Sequence, residues 1–428
     1  MKERAARRWL LALLAALLVP LGMPAAAAED EPVDLEKLQR ERALREALHP
    51  VRKRVSRYLE AAAKSVDKGD PAKAREQLES LNPKRLNPYE RALVYRLLAY
   101  VAYTAADYPG AIANFEKVLA EEILPLRDES KIRFNIAQIH ASLQHWREML
   151  AALDRWERYA EAPDPLAYYL RGIAYYQLDD LDAALEWAEK AVDLSPEPVE
   201  SWLQLLSALY VQREDYAKAT PVLEELVVRF PKKQYWVQLS LIYGARDDYR
   251  HSLAVQQVAY LQGFLEEDKE LRRLARSYLY NNLPYPAAKV LEKALAERRI
   301  ERDSEALELL ANSWIAAREY DKSLGPLNEA AERSKDGNLY VRLGQVYMQR
   351  EEWGQATQML QKGIERGGLK DTGNAQLLLG ICYYNDQRVE QARSSFARAR
   401  QQESTREAAD RWITHIERET GADETGAG

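Results

Sequence analysis

The chain has 428 residues, 30% of them charged, with 67 carboxylates against 61 lysines and arginines and a formal charge of −6. An acidic balance with no basic tract argues against nucleic acid as a partner, because such ligands are met by a positive face or stripe. A single cysteine, Cys382, rules out an internal disulfide.

The first element in chain order is a targeting segment. "MKERAARR" is a basic start, "WLLALLAALLV" is an apolar run, and "PLGMPAAAA" brings small residues up to "EDEP". This three-part layout is that of a secretory signal, with Ala26-Ala27-Ala28 as an A-x-A cleavage site. The apolar run is shorter than the ~20 residues that span a bilayer core, so it does not read as an anchor. No cysteine stands near the cut, which argues against a lipid anchor. Loss of residues 1–28 removes Lys2, Arg4, Arg7 and Arg8 against Glu3 and makes the rest of the chain more acidic still. A soluble periplasmic protein of a Gram-negative bacterium, with no stable membrane insertion after cleavage, is expected.

A charged arm follows at 29–54, helical from about Leu35 and either mobile or a cap. From 55 to 402 the chain repeats itself with a period of 33–38 residues, which has to be settled before any site is proposed. A small residue recurs ten times, at Ala62, Ala99, Ala137, Gly172, Ser207, Ser240, Ala275, Ala311, Gly344 and Gly380. Three residues later seven of the ten repeats carry an aromatic: Tyr175, Tyr210, Tyr243, Tyr278, Trp314, Tyr347 and Tyr383. Twelve residues after the small position comes a second one, as at Ala74, Ala111, Ala184, Ala219, Ala287, Ala356 and Ala392, with Ser252 and Ser323 as variants and Met149 as a departure.

This spacing predicts a helix hairpin. Two small side chains let antiparallel helices approach, and the aromatic fills the groove beside the crossing. Turn residues separate the two runs, as in "LDDLD" (178–182), "REDY" (213–216), "ARDDY" (245–249) and "NLPYP" (282–286). Large apolar residues on the second helix, among them Leu78, Phe115, Leu153, Leu223, Leu291, Leu327, Leu360 and Phe396, are expected to pack onto the next hairpin. After the repeats, 403–420 reads as a capping helix with Trp412 and Ile416 on one face, and "GADETGAG" (421–428) as a disordered tail.

On these residues the chain resembles the tetratricopeptide repeat (TPR) family. Tyr168, Gly172, Tyr175, Ala184, Ala191 and Pro196 fall on the family's marker positions, and "LYVRLGQVYMQREEWGQATQML" (339–360) follows them nearly as well. Met149 and Arg171, the latter where the family expects Leu, are departures. The resemblance implies an all-α fold, a right-handed superhelical solenoid of about ten TPR hairpins with a C-terminal capping helix. It also implies a protein-binding role without cofactor or catalysis.

Candidate chemistry is sparse. His49, His140, His145, His251 and His415 are dispersed, no nucleophile motif or phosphate loop occurs, and Cys382 reads as a buried thiol beside Tyr383. Binding is expected on the first helix of each hairpin. Tyr100, Tyr103, Tyr169, Tyr176 and Tyr384 are candidate aromatic contacts there. Lys269, Arg272, Arg273 and Arg276 recur at helical spacing in "DKELRRLARSYLY" (268–280) and form a candidate docking point for an acidic segment. Lys269 with Arg273 resembles part of the clamp by which some TPR proteins hold a C-terminal carboxylate, although the clamp's neighbouring Lys and Asn are missing.

A narrower resemblance lies in "YWVQLSLIYGARDDYRHSLAVQQVAYLQGFLEE" (235–267), "YNNLPYPAAKVLEKAL" (280–295), "KDGNLYVRLGQVYMQREEW" (335–353) and "ERGGLKDTGNAQLLLG" (365–380). These segments are similar to secreted bacterial TPR proteins described as components of the TonB system, whose partners are TonB, ExbB and ExbD. That likeness implies a scaffold or adaptor and identifies no binding residue. An adaptor for outer-membrane assembly, envelope polysaccharide machinery or cell division is the alternative. An enzyme is not expected, since the repeats consume nearly all of 55–402.

Overall fold

The structure, a computed structural model, describes residues 34–425, with side chains through Glu419. The expected signal at 1–28 and the last tail residues, 426–428, lie outside the described residues. Among the described residues every regular element is helical. The chain forms two compact units that divide between Asp180 and Leu181.

In the first unit, α1 (Leu35–Leu48) precedes three hairpins, α2 (Lys53–Asp67) with α3 (Pro71–Glu79), α4 (Pro88–Thr104) with α5 (Tyr108–Ala120), and α6 (Leu126–Ser142) with α7 (Trp146–Glu157), and then α8 (Pro165–Gln177). The second unit opens with α9 (Leu181–Leu194). Six hairpins follow: α10 (Glu200–Gln212) with α11 (Tyr216–Arg229), α12 (Lys233–Ala245) with α13 (Tyr249–Leu261), α14 (Asp268–Tyr280) with α15 (Pro284–Ala296), α16 (Ser304–Ala316) with α17 (Tyr320–Arg333), α18 (Asn338–Gln349) with α19 (Trp353–Arg366), and α20 (Thr372–Asn385) with α21 (Val389–Ala399). The last helix, α22 (Glu403–Thr425), packs on both α20 and α21. It continues past the boundary expected at 420.

The marker frame is the packing frame. Every small residue of both series is buried, and Met149, the one large substitute, is fully buried too. At Gly344 an added Cβ would lie 2.6 Å from Leu360 Cγ, and at Gly380 2.5 Å from Phe396 Cε1. Glycine is needed at these two crossings because the facing side chain already fills the Cβ position. Where both small positions are serine, the hairpin is also hydrogen-bonded: Ser252 Oγ donates to the Ser240 carbonyl at 2.8 Å. The large residues of the second helices, Leu78 through Phe396, are at most 1% exposed.

The hairpin turns obey a common rule. One residue per turn adopts a left-handed conformation, and it is glycine only at Gly69; elsewhere it is, for example, Ala106, Gln144, Glu214, Asp247, Asn282 or Glu351, with φ of 57–59°. This costs a side chain roughly 1–2 kcal/mol. An aspartate often follows and offsets it: Asp70, Asp107, Asp215 and Asp248 each accept a bond from the backbone N–H three residues on, at 3.0–3.2 Å.

The marker aromatics do more than fill a groove within their own hairpin. The Tyr210 hydroxyl on α10 donates to Glu189 on α9 at 2.6 Å, Tyr243 on α12 donates to Glu224 on α11, and Gln361 on α19 donates to the Tyr383 hydroxyl on α20 at 2.6 Å. Each bond ties a first helix to the second helix of the preceding repeat. Burial beside Glu224 pushes the Tyr243 hydroxyl up to about 12, so it remains a donor.

Candidate interaction surface

The cationic stretch of α14 separates into two populations. Lys269, Arg273 and Arg276 are exposed, whereas Arg272 is buried at 6% exposure. Arg272 donates through Nε to Asp268 at 2.5 Å, through Nη1 and Nη2 to the two oxygens of Asp303 at 3.0 Å each, and through Nη2 to the Glu301 carbonyl at 3.2 Å. Asp303 is also the N-cap of α16, accepting from Ala306 N–H at 2.7 Å. Arg272 therefore staples α14 to the start of α16 and is unavailable to an incoming acidic segment. That corrects its assignment as a docking residue: helical spacing groups the four cations but does not tell which of them points along the inter-repeat seam.

Arg276 pairs with Glu305 on α16 at 2.5 Å with both side chains exposed. Such a pair is worth little and is open to exchange for another carboxylate. Lys269 and Arg273 make no ion pair among the described residues. The exposed file does not stop at Arg276. Tyr280, four residues on and 65% exposed, extends it and packs against Tyr249 with ring centroids 4.5 Å apart. The same frame one repeat earlier on α12 presents Gln234, Gln238 and Leu241, all exposed. Tyr280 was legible in the sequence as the next residue of the i, i+4, i+7, i+11 series.

The tyrosine candidates also divide. Tyr100 and Tyr103 on α4 are 43% and 48% exposed, with rings set edge-on against Phe115 and Tyr108 of α5. They offer fixed aromatic edges. Tyr169 and Tyr176 on α8 are half-buried. Tyr384 is corrected: its hydroxyl donates to Glu419 at 2.5 Å, lies 3.0 Å from His415 Nε2, and its ring packs on Trp412 of α22. The capping helix covers it, so Tyr384 belongs to the end seal and leaves the candidate surface.

Beside α6 the first unit carries a cleft of about 540 Å³ that the sequence did not flag as such. Exposed Arg127 and Lys131 stand on one side, Phe134 and Trp156 form its apolar floor with centroids 5.4 Å apart, and the 160–165 connection closes it. Glu161 and Asp164 in that connection face the two cations, so the lining is mixed in charge around an aromatic floor.

Other polar features are structural. Arg171, buried where the family has an apolar residue, pairs with Asp154 at 2.5 Å and Glu157 at 2.6 Å, both on α7. Glu90, fully buried at the start of α4, is bonded by Arg52 and by the backbone of Asn87, and these bonds hold its carboxyl down to about 2. Cys382 is fully buried, and desolvation pushes its thiol up to about 12, away from the thiolate that reaction or metal binding needs. No group of three or more metal-binding side chains lies together among the described residues. No described helix is long and apolar enough to cross a membrane.

No curated protein matches the sequence. Similar solved structures include a tetratricopeptide repeat protein from Parabacteroides merdae ATCC 43184, 19% identical over 60% of this chain and 98% of that one, TM-score 0.37. MamA from Desulfovibrio magneticus RS-1 is 22% identical over 42% and 96%, TM-score 0.35, and Naa15/Naa10 bound to HypK-THB is 13% identical over 78% and 67%, TM-score 0.42. Models of the tetratricopeptide repeat match residues 165–198, 272–338 and 341–408. The helix hairpins within 165–198, 272–338 and 341–408 are tetratricopeptide repeats, and the other hairpins bury the same marker frame.

Proposed function

We propose that the protein is a periplasmic scaffold that binds other proteins through the first helices of its repeats, in association with the TonB–ExbB–ExbD system. One observation carries the binding role. The recurring small residues and aromatics, and Arg272 on α14, are consumed by packing, while Tyr100 and Tyr103 on α4 and Lys269, Arg273 and Tyr280 on α14 stay exposed on first helices. Exposed aromatic and cationic side chains on rigid helices are the kind of groups that anchor protein interfaces. The layout of residues 1–28 supports export, and the segments similar to TonB-associated secreted proteins support the choice of partner.

The test places photoreactive residues at 100, 103, 269 and 273 in cells and identifies the captured proteins. Recovery of TonB, ExbB or ExbD is the expected result, with capture reduced by Arg273→Glu plus Arg276→Glu. Capture of an outer-membrane assembly factor instead would sink the TonB assignment. An N-terminus still beginning at Met1 in the mature fraction would sink the export step.

A further inference from the structure

The arm before the first hairpin is docked, and its docking is chemically odd. A helix that packs on a protein ordinarily buries an apolar stripe. On α1 the one fully buried residue is Arg42, at 4% exposure; Leu35 and Leu38 on the same face are only half-buried, and Leu44 and Leu48 are 67% and 75% exposed. Arg42 Nη2 lies 3.5 Å from Glu129 Oε1 in the first turns of α6, and Nη1 lies 3.6 Å from Glu122 Oε2 in the turn before it. Arg45, nearer the rim, approaches Glu122 at 3.7 Å.

The socket that receives Arg42 is built but loosely filled. Glu129 is fully buried, and its other oxygen is 3.3 Å from Arg133 Nη1 one helical turn on. Burial pushes the Glu129 carboxyl upward, against the opposing pull of Arg42 and Arg133. Glu129 Oε1 and Arg42 Nε and Nη1 have no hydrogen-bond partner among the described residues, whereas close charge-assisted bonds run at about 2.7–2.9 Å. Desolvating charges without completing their hydrogen bonds is costly, so this contact holds α1 less firmly than apolar packing would. A helix of 14 residues is also marginal by itself in water. Undocking α1 therefore means unfolding it.

We propose that Glu122 and Glu129 form a binding site for an arginine-bearing helix, filled in this chain by its own α1, which a partner helix of the same chemistry displaces. The site lies at the start of α6 and is independent of the exposed α14 file. Its occupant in the resting protein is α1, and release uncovers the Glu129 carboxylate beside Glu122, whose side chain is already 63% exposed.

The experiment uses the full chain and a labelled synthetic peptide of residues 34–50. In the Arg42→Ala chain, amide exchange over 35–48 should rise about ten-fold or more while α4 to α7 keep their protection, and the peptide should bind about ten-fold or more tighter than to the wild-type chain. The same peptide carrying Arg42→Ala should lose that binding. Equal exchange over 35–48 in the two chains, equal affinity of the peptide for both, or undiminished binding of the substituted peptide would each overturn the proposal.

Discussion

Two buried arginines hold two different joints, and the difference lies in their hydrogen bonds. Arg272 in the second unit spends its guanidinium on Asp268, Asp303 and the Glu301 carbonyl at 2.5–3.2 Å. Arg42 in the first unit is just as buried but stands 3.5–3.6 Å from its carboxylates with nitrogens left unpartnered. A buried charge with complete bonds makes a permanent joint, whereas one with incomplete bonds makes a weaker one. Burial alone does not distinguish a staple from a latch.

The largest expected effect comes from breaking the complete joint. Arg272→Ala should lower the free energy of unfolding by about 2–4 kcal/mol, less than for a wholly buried pair because Asp268 and Asp303 are partly exposed. Urea denaturation would show it, and Arg272→Lys should not restore stability, since an ammonium cannot span both aspartates. A loss below about 1 kcal/mol would contradict the staple.

Glu90 offers a pH-resolved version of the same comparison. Its folded carboxyl sits at about 2 against an ordinary 4.5. Its contribution is therefore present above pH ~4.5 and is lost as pH falls toward 2, amounting to at most about 3 kcal/mol. The stability gap between wild type and Glu90→Gln should close over that window; a gap independent of pH would show that the bonds to Arg52 and Asn87 are not what lowers it.

Packing supplies the reference for a defect without charge. Gly380→Leu should cost about 1–3 kcal/mol by forcing Phe396 aside, and a melting temperature unchanged from wild type would break the assigned register. Tyr210→Phe removes one inter-repeat bond while Lys218 still pairs with Glu189, so a loss of about 1 kcal/mol is expected in the same assay. An effect of similar size belongs to the incomplete joint: Arg42→Ala should lower global stability by about 1.4 kcal/mol, the ten-fold opening of α1 converted, with the loss confined to α1. A loss as large as that of Arg272→Ala would erase the distinction between the two joints.

The sequence by itself determined the repeat, its register and the residues that carry it. A small residue every 33–38 positions with its partner twelve residues later has one close-packed solution, and positions named from spacing alone, such as Ala99, Ser240 and Leu291, lie in the core. Only the tertiary structure decided the fate of the polar side chains. Arg272, Arg273 and Arg276 are alike in a periodicity analysis, yet one is sealed in the seam, one is exposed without an ion pair, and one bridges to Glu305 at the surface. Tyr384 looked like its counterparts until α22 covered it, and Arg42 was one charge among many in a charged arm. The physical reason is one of range. Apolar periodicity is a local property of one helix, whereas the partner of a charge lies tens of residues away, in the next repeat, where spacing along the chain carries no information about direction.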